Sequence, residues 1–211
     1  MPITTWDAFQ PQIQSYTEGS SGPQMDNASR LAAIEFCTMS QVYREDLDPM
    51  NTLAGVAEYD LSPPLETRVV VPVYVSLNGV GIAPTNEDAL PTNWRSTPPA
   101  PPQNYLVMNS QSIYIYPTPL VAAGVLFVRA ALKPDLATAT GIEERIFVDW
   151  GEVIAHGAAA RLLAIPGKPW SNPEANAYHQ GRFIEGINNA KISINNSLTS
   201  SGQSVQMMKF V

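Results

Sequence analysis

The 211-residue chain has one cysteine, two histidines and charged side chains at only 15% of its positions. Cys37 has no partner for an internal disulfide, and no set of Cys and His residues has zinc-ligand spacing, so neither staple is expected to hold the fold. No metal and no cofactor is expected. No apolar run is long enough to cross a bilayer, and no basic start leads into an apolar segment. A soluble chain without a secretion leader or a membrane partner is therefore expected. Basic residues are also few, 12 against 19 acidic ones, for a net charge of -7. That balance argues against tightly held nucleic acid, whose binding rests on basic patches that release phosphate counterions. It suits a surface past which DNA slides without sticking.

Catalytic signatures are missing as well. The stretch Ile165 to Trp170, "IPGKPW", offers a Gly-Lys pair, but a phosphate loop needs an earlier Gly and a Ser or Thr after the Lys. Here Pro169 follows, with neither a hydroxyl nor an N–H. There is no dinucleotide fingerprint, no calcium loop and no paired-His protease helix. His156 lies among small residues and His179 beside Tyr178, without a recognisable nucleophile, so both read as structural. Cys37 sits in an apolar helical stripe and reads as a small buried hydrophobe. Glu35 reads as a salt-bridged or partly exposed helix residue. Asp149 and Glu152 complement a helix dipole. The chain is not expected to be an enzyme.

What the sequence does have is 19 prolines and 45% hydrophobic residues, a composition that leans towards a subunit of an assembly. Trp6, Phe9, Ile13 and Tyr16 are spaced for a short amphipathic helix, with Thr4 and Thr5 as possible caps and Pro11 able to split it. From Gln24 to Leu47 a long helix is expected, with Ala28, Leu31, Ala32, Phe36, Met39 and Tyr43 on one face. Beyond "DPMNT" the period becomes alternating and four stretches read as strands. Asn78-Gly79 signals a two-residue hairpin, Asn109 to Gln111 a second turn, and Pro72 an edge or a bulge. Between the hairpins, residues 84–103 form a polar, Pro-rich loop of the kind that touches something. The helical period returns over "IFVDWGEVIAHGAAARLLAIPG", where the small residues let another helix approach. Gly167 and Pro169 then stop that helix, Trp170 packs across its end, and Ser171 with Glu174 forms a capping box for the last helix. "IPGKPW" is thus expected to be the connector of a helix hairpin. The apolar end holds Gln203, Val205, Met207, Met208, Phe210 and Val211, and reads as an arm that orders on a partner.

The fold class expected is α+β: an antiparallel helical bundle core with an inserted antiparallel β-domain and an extended C-terminal arm. The divisions expected are 1–50 and 136–198 for the bundle, 51–135 for the β-domain and 199–211 for the arm. The order of these parts, with "AAIEFC", "EYDLSPP", "YPTP" and "ARLLAIPGKPWSNPEAN" followed by Phe183 and Ala190, resembles tailed-phage head-to-tail adaptor proteins, also called connector or head-completion proteins. The resemblance covers nearly the whole chain and rests on architectural motifs. It implies a structural protein of the virion neck, assembled in the host cytoplasm. It implies a ring, commonly of twelve copies, under the portal, with a DNA channel through which the genome leaves. The partners implied are the portal protein, a tail, nozzle or stopper protein, and further copies of the chain. The six residues of the apolar end are then portal-binding candidates. The alternatives are a stopper or other neck protein, or a virion-associated enzyme using Glu35, Asp149, Glu152 or His179.

Overall fold

A computed structural model describes residues 2–122 and 124–196, with the side chains of residues 195 and 196 left aside. The chain opens not with a helix but with strand β1, Ile3–Thr5, which runs antiparallel to β11, Gly141–Glu143. A 3-10 turn over Trp6–Phe9 and the five-residue helix α1, Gln10–Gln14, follow, with Pro11 inside the first turn of α1, where its missing N–H costs nothing. Trp6 and Phe9 are buried, and the indole Nε1 of Trp6 donates to the carbonyl of Ala139 at 3.0 Å.

Helix α2 spans Gly22–Ser40. Its start is a capping box: the Ser21 N–H donates to the Gln24 side-chain oxygen at 3.0 Å, and Pro23 occupies the first turn. Its end is Gln41, at φ 56°, whose N–H reaches the carbonyl of Cys37 at 3.0 Å. The helix expected to run on to Leu47 therefore stops short. Tyr43 and Leu47 are still buried, but they enter the core from either side of strand β2, Arg44–Asp46. The local pattern favoured helix, and pairing with a distant strand won.

That distant strand is β10, Val125–Pro134, the centre of the largest sheet. It pairs antiparallel with β2, with β3 (Met50–Asn51) and with the eleven-residue β5 (Thr67–Leu77). Asn78 and Gly79, at φ 52° and 79°, turn β5 into β6, Val80–Gly81. Pro72 lies between two register breaks in the β5–β10 ladder, opposite Ala130, so the sheet accommodates its missing donor with bulges. A second sheet runs β4 (Glu58–Asp60), β9 (Ser112–Tyr116), β8 (Asn104–Leu106) and β7 (Ala83–Pro84), with β7 and β8 parallel. The Asn109 side-chain oxygen accepts from the N–H groups of Gln111 and Ser112 at 2.7 and 2.8 Å, which makes the turn between β8 and β9.

Helix α3, Glu144–Leu163, follows β11 directly, and α4, Pro173–Asn196, returns beside it. The contact is close because α3 presents Gly157 to the ring of Phe183. A methyl group at Gly157 would come within 2.7 Å of that ring. Helix α2 packs on α3 with one face and on β10 with another, burying Ala32, Ala33, Phe36 and Cys37 over Leu126, Val128 and Ala130.

These contacts overturn the expected helical-bundle core with an inserted β-domain. Among the described residues, four α-helices and eleven strands in three sheets surround one apolar cluster that runs from Phe183 and Ile154 through Phe36 to Val69, Val75, Ile113 and Ile115. Strands β5 and β10 turn Val69, Val75, Leu126, Val128, Ala130 and Leu132 inward, and α2 packs on β10. The helices could not be packed as a closed bundle without exposing it.

Candidate functional site

The residues weighed for catalysis do not assemble into a reacting group. Cys37 is fully buried, and burial together with the nearby Glu143 carboxylate pushes its thiol up to about 12. Thiolate is the reactive form, so labelling of the native chain by a disulfide reagent at pH 8 is expected to run about a thousandfold slower than labelling in denaturant. Equal rates would contradict the packing described. Glu35 on α2 is engaged by the Arg161 guanidinium of α3. Asp149 is exposed, and Glu152 is exposed with one oxygen 3.8 Å from His156 Nε2. His179 meets His156 rather than a nucleophile. Among the described residues, no group of three or more His, Cys, Asp and Glu side chains could hold a metal ion.

The surface is more informative than the interior. The Pro-rich loop, 84–103, is folded back and anchored by one side chain. Trp94 is only 6% exposed and stands edge-on to Tyr114 and Tyr116 of β9, with ring centroids 6.2 and 6.3 Å apart. Arg95 stacks over the indole at 4.7 Å and reaches Glu87 at 3.2 Å. The loop backbone is tied at its far end, where Ala100 and Gln103 donate to the carbonyls of Thr118 and Tyr116 at 2.9 Å each. The segments 86–89 and 91–93 are left exposed as an ordered rim.

A second surface feature is the turn Pro64–Thr67. Leu65 at its tip is 92% exposed. Glu66 takes φ 64°, a conformation that ordinarily favours glycine and costs a residue with a side chain about 1 kcal/mol or more. The Thr140 N–H and hydroxyl both donate to the Glu66 carboxylate at 2.8 Å, and the Asp135 N–H donates to its carbonyl at 2.8 Å. The two Thr140 bonds, the N–H first, hold the Glu66 carboxyl below its ordinary range. Beside the turn lies an apolar groove of about 340 Å³ lined by Ile3, Tyr43, Pro134 and Ile142.

A family model described as SU10 adaptor protein matches residues 4–206. The chain belongs to this family. It is accordingly a structural phage adaptor protein. Among curated proteins, none matches the chain.

In the adaptor, the segment "IPGKPW" joins α3 to α4. Gly167 is at φ 73° and Pro169 is exposed. Trp170 is half-buried against the core and faces the turn at Gly19. Ser171 donates its N–H to Lys168 at 3.0 Å, but the cap of α4 is the next residue: the Asn172 side-chain oxygen accepts from the N–H groups of Glu174 and Ala175 at 3.1 Å each. Asn176 then donates from its side chain to the carbonyl of Ala160 at 2.6 Å, closing the open end of α3. The candidate partner-binding residues Gln203, Val205, Met207, Met208, Phe210 and Val211 lie outside the described residues. Three features were not singled out from the sequence: Trp94, Leu65 and the histidine pair. A lone tryptophan in a polar, Pro-rich loop was a usable signal for the first. Nothing in local spacing marks the other two.

Proposed function

We propose that this adaptor forms a ring beneath the portal and joins the DNA-filled head to the tail, with the genome passing through the ring. The observation that carries the reading is the family match across residues 4–206. An adaptor of this kind has a portal on one side and a tail, nozzle or stopper protein on the other, and it acts in the virion neck. The net charge of -7 supports a channel wall to which DNA does not adhere. A ring needs two different patches on each subunit that meet heterologously and close. The turn at Leu65 and the rim of the Pro-rich loop are exposed and tied by hydrogen bonds, which suits them to serve as such contacts. The apolar residues 203–211 supply an arm for the portal, with Met207 and Met208 adapting to its surface.

The test is negative-stain imaging of the purified protein with the portal ring of its own phage. A new ring layer on the portal is the expected outcome, and a chain ending at residue 202 is expected to lose attachment. Binding only to a portal that already carries another ring would make the protein a stopper. Binding to neither would overturn the reading.

A further inference from the structure

The chain has two histidines, and both are in one buried contact. His156 of α3 and His179 of α4 face each other through their Nδ1 atoms at 2.8 Å, a hydrogen-bond distance at which one nitrogen must donate and the other accept. Glu152 stands 3.8 Å from His156 Nε2, beyond hydrogen-bond reach. Either Nδ1 can be the donor, according to the tautomers of the two rings. Tyr16, in the turn after α1, covers the pair, with its ring centroid 4.3 Å from that of His179 and 5.9 Å from that of His156. Tyr178 stands edge-on to both imidazoles.

We propose that this pair is a proton-operated latch that holds α4 against α3 and the turn at Tyr16, closed with one proton between the rings and opened when both rings are protonated. One added proton keeps the contact, because an imidazolium still donates to a neutral partner. A second places two N–H groups and two positive charges nose to nose, and the contact must separate. The charged groups around the pair are Glu152 from α3 and Arg182 and Glu185 from α4; the segment carrying α1 contributes Gln12, Ser15 and Tyr16, none of them charged. Glu152 favours protonation of His156 and Arg182 opposes it. Arg182 is itself tied to Glu185 at 2.8 Å.

Burial, ahead of all other causes, holds both imidazoles below the ordinary histidine value of 6.5, and the charge of His156 lowers His179 further. Between that lowered range and 6.5 the unfolded chain binds protons that the folded chain does not. The contribution of the pair to stability is therefore complete above about pH 6.5 and is lost as the pH falls through that window.

The experiment is an NMR titration of the two imidazoles in the full chain, with hydrogen exchange read on the α4 amides at each pH. No variant is needed to see the signals, and His179→Phe assigns them. The expected result is two coupled steps, the second requiring about tenfold or more acid than the first. Exchange of α4 amides should rise at the second step while amides of β5 and β10 stay protected. In His179→Phe, the fall of Tm between pH 7 and 5 should lose the part carried by the pair. Two independent titrations near the ordinary value, or α4 exchange that ignores the second proton, would overturn the latch.

Discussion

Replacing Phe183 with alanine is expected to lower the stability of the adaptor by about 3–5 kcal/mol. The ring is 1% exposed, fully inside the seam between α3 and α4. It sits over Gly157, the position on α3 that has no side chain to fall into the space left behind. Helix α3 cannot close the gap either, because it is also packed against α2. In a chain of this length each kcal/mol moves Tm by about 2–4 °C, so a drop of about 10 °C is expected in a thermal melt. The reciprocal change, Gly157→Leu, drives a side chain into the same ring and should also destabilise, by about 1–3 kcal/mol. A melt of Phe183→Ala within 2 °C of the parent would mean the helices do not pack as described.

Removing the anchor of the Pro-rich loop is the second large effect. In Trp94→Ala the loop loses the only buried side chain between residues 84 and 103, and Arg95 loses the ring on which it stacks. A buried aromatic truncated to alanine costs about 3 kcal/mol or more. Here the cost falls on the docking of the loop, since Tyr114 and Tyr116 keep their ladder bonds to β4 and β8. Trypsin reads the difference. Arg95 is exposed in sequence terms but held in a 3-10 turn, Trp94–Ser96, which resists the extended conformation a protease needs. Cleavage after Arg95 should accelerate by about a hundredfold in the variant, the size of a local opening cost of nearly 3 kcal/mol. Unchanged cleavage would show that the loop is free in the parent.

Much of this fold was legible because its signals are local. Asn78-Gly79 and Gly167 mark backbone that must take positive φ, Asn109 carries its own turn, and the spacing of Ile154, Gly157, Ala158 and Leu162 is the helix period itself. What was not legible depends on partners far along the chain. Strands β1 and β2 are three residues each and pair with β11 and β10 across more than eighty positions, so no period could reveal them. The stop of α2 at Gln41 was hidden for the same reason, since Tyr43 and Leu47 continue a helical stripe in sequence while serving a strand. The bundle expectation failed because period alone does not say that α2 must roof a sheet. On the functional side, the motifs around "ARLLAIPGKPWSNPEAN" pointed to the adaptor family. The histidine pair joins positions 23 residues apart on two helices, and the spacing of neither helix announces it.

The pairing of Ile3 with Glu143 has a consequence for how the protein is made. Synthesis delivers residues 3–5 well before residues 141–143, their strand partner among the described residues. Trp6 waits equally long for the carbonyl of Ala139. Contacts so distant in sequence must meet the full cost of loop closure before they return any stability, and topologies that rely on them fold slowly. Until β11 and α3 have emerged, the nascent adaptor lacks a finished core. The face of α2 that packs on α3 stays uncovered during that interval, and a chain truncated before β11 lacks both partners.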